Sequence, residues 1–192
     1  LAAASVKLDG VPVVWMHADL AAPLTPWFDR RDAFTRMLHV GGDLPLRATV
    51  PGYSVREVDL AQEVPLVATL LRASSGGPAR GMDDVVAWAR RPVFHPHAWL
   101  WAIDRTTRRP AGLAVADVDS EAQEASLVCL EVLPDHRNRG VGTMLLQELV
   151  GRLERMAAFT TATLPLRSGT RPDHLFSACG FSGHAVWWRL RR

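Results

Sequence analysis

The stretch ASLVCLEVL (125–133) constrains the fold more than any other part of the chain. It is almost continuously apolar, and Pro134 closes it. A strand of this kind is buried on both faces, so it lies inside a sheet covered by helices on each side. The one charged residue in it is Glu131. A different period begins immediately afterwards. In DHRNRGVGTMLLQELVGRL, residues Val141, Leu145, Leu149 and Leu153 recur every fourth position, the apolar stripe of a helix. Glu148 and Arg152 stand four apart on that helix and can pair. The segment therefore predicts a buried strand, a loop and a helix.

The junction carries chemistry. A helix N-terminus presents unpaired backbone N–H groups and a partial positive charge, which together seat phosphate. Gly140 and Gly142 remove side chains that would keep a diphosphate from those groups, and Arg137 and Arg139 add charge. The spacing is neither G-x-x-x-x-G-K-[ST], because no lysine follows, nor G-x-G-x-x-G, because Leu145 stands where the third glycine belongs. The competing reading is a plain turn that uses glycine for geometry and arginine for solubility.

Similar reasoning places the other elements. From Tyr53, YSVREVDL alternates as a strand, and a helix follows with Asp59 as N-cap, Gln62 three residues on and Pro65 in an early turn. MDDVVAWARR predicts a short helix stopped by Pro92. AWLWAID and AGLAVADV read as strands paired around RTTRRP. After the central helix come a strand in AAFTTATLPL, a short helix at PDHLFSACG and a last strand, HAVWWRL. The order is β-α-α-β-β-β-α-β-α-β, a mixed α/β arrangement with a central sheet.

GGDLPLRATVPGY (41–53) marks a break, and residues 1–50 form an N-terminal extension. There SVKLDGVPVV reads as a hairpin turning at Asp9-Gly10. PWFDRRDAFTRMLHV reads as a helix with Phe28, Phe34, Met37 and Leu38 inward. This segment is too rich in large apolar residues for a dangling tail, so it is expected to pack on the core.

Composition narrows the function classes. A net charge of +2 among 192 residues calls for neither a nucleic-acid nor a membrane partner. No apolar run approaches the ~20 residues that span a bilayer. Cys129 and Cys179 make no disulfide framework, which points to a cytoplasmic protein.

The wider pattern Val132-x-Pro134-x-x-Arg137-x-x-Gly140-x-Gly142 resembles the acetyl-CoA motif of the GNAT superfamily of N-acetyltransferases, R/Q-x-x-G-x-G/A after a strand. LFSACGF (175–181) resembles the later family motif L-Y-x-x-x-G-F. The resemblance runs from Tyr53 onward and implies a GNAT domain over 51–192, with a mixed central sheet flanked by helices. It also implies roles. Leu130, Glu131 and Val132 would form the splayed end of a strand whose backbone binds the pantetheine arm and polarises the acetyl carbonyl. Arg137, Asn138, Arg139, Gly140, Val141, Gly142 and Thr143 would hold the pyrophosphate. The implied reaction is direct attack of a primary amine, from a small molecule or a peptide, on acetyl-CoA. A homodimer is compatible with this reading.

Two positions depart from the family pattern. Phe176 stands where a tyrosine often protonates the leaving thiolate, and Gly169 replaces an asparagine. Ser177 and Cys179 are near that position but have no specific case as the acid. Glu131 is the candidate base, a lone acid beside the expected reaction centre, with its side chain opposite to that of Val132. Asp117, Asp119, Glu121 and Glu124 read as a solvated hairpin loop, or else as a patch for a cationic amine. His95 and His97 lack further ligands, so no metal site is expected. Trp99 and Trp101 read as core, Trp187 and Trp188 must face opposite ways, and His184 has no assigned role. Arg167 and Arg171 either reach phosphate or face solvent. Two rivals remain: a non-catalytic acyl-CoA-binding module, favoured by Phe176, and a nucleotide-binding protein using the same loop.

Overall fold

A computed structural model describes residues 13–42, 48–74, 81–166 and 173–191. The Asp9-Gly10 turn, Gly169, Arg167 and Arg171 lie outside the described residues, as does the side chain of His184. The chain divides into two compact units, Met37–Ala162 with Pro172–Ser182, and Leu1–Arg36 with Thr163–Arg171 and Gly183–Arg192.

The larger unit follows the predicted order. Strand β3 (Tyr53–Glu57) begins at a Pro51-Gly52 turn, with Gly52 at φ +83° and Tyr53 N–H donating to Val50 O at 3.1 Å. Proline and a left-handed glycine at the two central positions are what this turn needs. Helix α2 (Leu60–Ser74) and helix α3 (Met82–Ala89) follow. Asp59 caps α2 as expected, accepting from Ala61 N–H at 3.1 Å, but the carboxylate that reaches back to Asp59 N–H is that of Glu63, not the amide of Gln62. Glu63 wins because it also receives Arg56 and the Trp101 indole N–H, partners chosen by packing. Pro65 is accommodated inside the helix.

Strands β4 (Phe94–Asp104), β5 (Arg109–Asp119) and β6 (Glu124–Val132) form an antiparallel run with β3 at its edge. Helix α4 (Val141–Leu153) returns the chain so that β7 (Phe159–Pro165) pairs parallel with β6, from Glu124↔Phe159 to Leu127↔Ala162. Helix α5 (Asp173–Ala178) follows. The sheet is mixed and has a core on each face. Val141, Leu145, Leu149 and Leu153 of α4, all buried, pack on Leu100, Ala102, Ala114 and Ala116. On the opposite face Trp99, Trp101, Leu113 and Val115 pack against Val67, Leu70 and Leu71 of α2 and Val85 of α3. Trp99 and Trp101 are therefore core residues.

The smaller unit contains β1 (Val13–His17), a short helix α1 (Ala18–Ala21), most of β2 (Arg30–His39) and most of β8 (Ser182–Arg191). Residues 30–39 form a strand, which corrects the helix expected over this stretch. Strand geometry puts Asp32, Phe34 and Arg36 on one face. There Asp32 pairs with Arg189 at 2.8 Å, Arg189 lies over the Phe34 ring, and Arg36 lies over that of Trp187. The apolar spacing in 26–40 fits helix and strand alike, and long-range pairing with β8 selects the strand. Phe28, Phe34 and Met37 are buried as expected, but Leu38 is 37% exposed. In β8, Trp187 registers with His17 and Trp188 with Met16, so the two indoles face opposite ways.

Candidate functional site

The site is built at the end of β6. The register with β5 runs from Val115↔Cys129 to Ala116↔Leu127, which leaves Val128 as an extra, bulged residue. Before the bulge, β6 pairs with β7 from Glu124↔Phe159 to Leu127↔Ala162. Beyond the bulge, residues 129–132 pair with β5, from Val115↔Cys129 to Gly112↔Val132.

The register also assigns faces. Val132 is opposite Gly112 and Leu130 opposite Ala114, on the α4 side, whereas Glu131 is opposite Leu113, on the α2 and α3 side. Glu131 is half-buried, and its side chain makes no hydrogen bond or ion pair with a described residue.

After β6 the chain makes a tight 3-10 turn over Pro134–His136. Asn138 and Gly140 both take left-handed backbone conformations, φ +57° and +80°. Gly140 is the N-cap of α4 and offers no side-chain cap; the first bond into the helix is Met144 N–H to Gly140 O, 3.0 Å. The N–H groups of Val141, Gly142 and Thr143 precede any carbonyl that α4 can offer them. The two glycines do different work. Gly140 is required by its left-handed φ. At Gly142 an added Cβ would meet Leu175 Cδ1 at 3.3 Å and Val132 Cγ2 at 3.8 Å, so its bareness serves helix packing.

Comparison with known proteins identifies the family to which this bulged strand, loop and uncapped helix belong. The sequence model of the acetyltransferase (GNAT) family matches residues 68–181, more than half of the chain. The chain belongs to the GNAT family. Solved GNAT structures agree with it in fold. A GCN5-related N-acetyltransferase from Sphaerobacter thermophilus superimposes with TM-score 0.75 at 16% identity, covering 94% of this chain and 60% of its own. The ribosomal-protein-S18-alanine N-acetyltransferase from Escherichia coli superimposes with TM-score 0.54 at 18% identity, covering 72% of this chain and 93% of its own. A tandem GNAT protein of the clavulanic acid pathway gives TM-score 0.59 at 15% identity, over 93% of this chain and 62% of its own. The chain thus spans about three-fifths of the length of the S. thermophilus structure. No curated protein sequence matches it.

The remaining candidates of this GNAT chain separate clearly. Phe176 is buried and edge-on to Phe181, ring centroids 5.5 Å apart, so the position of the usual tyrosine is a packing site. Burial pushes the Cys179 thiol up to about 11, and Ser177 is exposed. The acidic group lies at the opposite end of β6 from Glu131, roughly 20 Å along the strand. Three of its four carboxylates have partners nearby. Asp117 pairs with Arg91 at 2.7 Å, Asp119 accepts from Glu121 and Ala122 N–H in the turn, and Glu124 accepts from Ser126 and Thr161 hydroxyls. Burial raises the Asp117 carboxyl, against the pull of Arg91. Asp117, Asp119 and Glu124 are half-buried and line one cavity with Arg91, and Glu121 is exposed in the turn.

His97 pairs with Glu57 at 3.0 Å, Glu57 with Arg152 at 2.6 Å, and Arg152 with Glu148 at 2.9 Å, the last being the expected i,i+4 pair. Among the described residues no group of three or more His, Cys, Asp or Glu is arranged to hold a metal ion, and no described helix is long and apolar enough to cross a membrane.

Sequence reasoning missed how the loop is held. Tyr53 Oη and His136 Nδ1 are 2.8 Å apart, and the rings meet edge-on. Arg137 donates from Nε to Val132 O at 2.9 Å and from Nη2 to Ser74 O at 2.8 Å. The signal in the sequence was the single tyrosine at the start of β3, which had no role there.

Proposed function

We propose that this chain is an N-acetyltransferase that uses acetyl-CoA and transfers the acetyl group to a primary amine. The observation that carries this reading is the continuity of two features: the bulged end of β6 leads through the Pro134–His136 turn into the uncapped N-terminus of α4. The first suits the amide-bearing pantetheine arm, which can add to a strand edge. The second suits a diphosphate. Leu130 to Val132 would hold the arm, and Arg137 to Thr143 the diphosphate.

The chemistry is then direct. The amine nitrogen attacks the thioester carbonyl, the C–S bond breaks, and the amine gives up a proton. Backbone N–H groups at the strand end stabilise charge on the carbonyl oxygen. Glu131 projects from β6 toward α2 and α3, unpaired among the described residues, and serves as the group that takes the amine's proton. No acid stands at Phe176, and solvent protonates the departing thiolate. The absent acid also favours a second reading, a module that binds acyl-CoA without turnover.

Titration calorimetry with CoA and acetyl-CoA, followed by free-thiol release across small-molecule and peptide amines, tests both. Amine-dependent thiol release establishes the transferase. Tight CoA binding without release for any amine supports the module, and failure to bind CoA removes both. Competition by ATP distinguishes a nucleotide site.

A further inference from the structure

The two arginines of the loop are not equivalent. Both are exposed, but the Arg139 side chain makes no hydrogen bond or ion pair with a described residue, so its charge is available to a ligand. Arg137 turns its guanidinium back onto the protein. Its two bonds go to Val132 O, at the end of β6, and to Ser74 O, in the last residue of α2, 63 positions earlier in the chain. Ser74 is buried. Carbonyls in the last turn of a helix lack intrahelical donors and sit at the negative end of its dipole. A guanidinium satisfies the carbonyl and opposes the dipole together. Its planar fork reaches both carbonyls, whereas an ammonium is a compact point charge without that fork. On the loop's other flank, His136 meets Tyr53 at 2.8 Å. Two consecutive residues thus fasten the loop to two elements distant in sequence.

We propose that Arg137 is a positioning residue for the acetyl-CoA loop, holding it by bridging Val132 O and Ser74 O, and that the loop's electrostatic attraction for the diphosphate comes from Arg139. The proposal rests on the acetyl-CoA reading given above. It divides a two-arginine motif into an inward clamp and an outward charge. Geometry, not charge, is then what Arg137 contributes to binding.

The test measures CoA affinity by calorimetry over a range of salt concentrations for wild type, Arg137→Lys, Arg137→Gln and Arg139→Gln, with hydrogen exchange on the same unligated proteins. Arg137→Lys keeps the charge yet is expected to weaken CoA about tenfold, the effect of losing one or two bonds to charged donors. Its affinity should fall with salt as steeply as that of wild type. Arg137→Gln should behave in the same way. Arg139→Gln should weaken CoA and flatten the salt dependence, because a screened charge has been removed. Exchange should quicken in Arg137→Lys both around 133–140 and at the end of α2, and in neither place in Arg139→Gln. Wild-type affinity in Arg137→Lys, or a flattened salt dependence in Arg137→Gln, overturns the clamp and makes Arg137 a phosphate ligand. A wild-type protein that does not bind CoA fails the acetyl-CoA reading itself, and the positioning role goes with it.

Discussion

Leu175 of α5 packs against the bare Cα of Gly142 in the first turn of α4, where a methyl group would stand 3.3 Å from Leu175 Cδ1. The contact is tight, but the opposing atom is the end of a flexible side chain. Gly142→Ala is expected to change stability by less than about 1 kcal/mol, since a gain in helix propensity offsets a small shift of Leu175. CoA affinity should stay near wild type, because the added methyl points at Leu175 and Val132. Gly142→Leu should cost about 1–3 kcal/mol by overpacking. Urea unfolding and calorimetry check both.

Gly140 answers to a different constraint. At φ +80° a side chain is strained whatever space surrounds it, and here a Cβ would also meet Val50 Cγ2 at 3.3 Å. Gly140→Ala should lose about 1–2 kcal/mol of stability together with CoA affinity. Gly140→Asn should recover part of the backbone cost, because asparagine enters the left-handed region more readily. Equal thermal midpoints for the two variants would refute the strain argument.

Glu131 faces the α2 and α3 side without a partner among the described residues. Glu131→Gln preserves shape and removes the basic carboxylate. Amine-dependent turnover should drop by roughly 10²–10⁴-fold, the range of general acid–base groups, while acetyl-CoA binding is unchanged. Near-normal turnover would leave Glu131 a structural residue.

Glu63 supplies a pH dependence whose sign can be worked out. Arg56, through its hydrogen bonds, holds this carboxyl at about 2, with Asp59 N–H and the Trp101 indole assisting, against an ordinary value of 4.5. A group depressed by folding stabilises the folded state fully above its unfolded value and loses that contribution as pH falls toward its folded value. The gap corresponds to at most about 3 kcal/mol. Glu63→Gln should therefore be less stable than wild type at pH 7, and the difference should shrink between about pH 4.5 and pH 2. Parallel denaturant titrations across that window provide the measurement.

A chain beginning near Val50 would leave β8 without β1, which pairs with it from Val13↔Arg191 to His17↔Trp187, and without Asp32, which binds Arg189 and Arg191. Such a truncation exposes a strand carrying Trp187, Trp188 and Leu190. It is expected to aggregate. A soluble, monomeric product in size-exclusion chromatography would show that β8 is stable without the N-terminal strands.

From Tyr53 onward, the sequence by itself determined the elements and their order. The signals there are local: the fourfold apolar period of α4, the Pro51-Gly52 turn, the Asp59 cap and the unbroken apolarity of β6. The expectation of a phosphate site in the loop was equally local, since it rests on glycines next to a helix start. Tertiary structure decided whatever depended on partners far along the chain. Residues 30–39 carry an apolar spacing that fits two periods, and pairing with β8 made them a strand. The carboxylate that reaches back to Asp59 is that of Glu63, because Arg56 and Trp101 are where it points. Arg137 reads in sequence as one more charge for phosphate, but a carbonyl 63 residues away turns it inward. A hydrogen bond is short-ranged and directional, so its partner is set by which backbones the fold brings together, and local sequence carries no record of that.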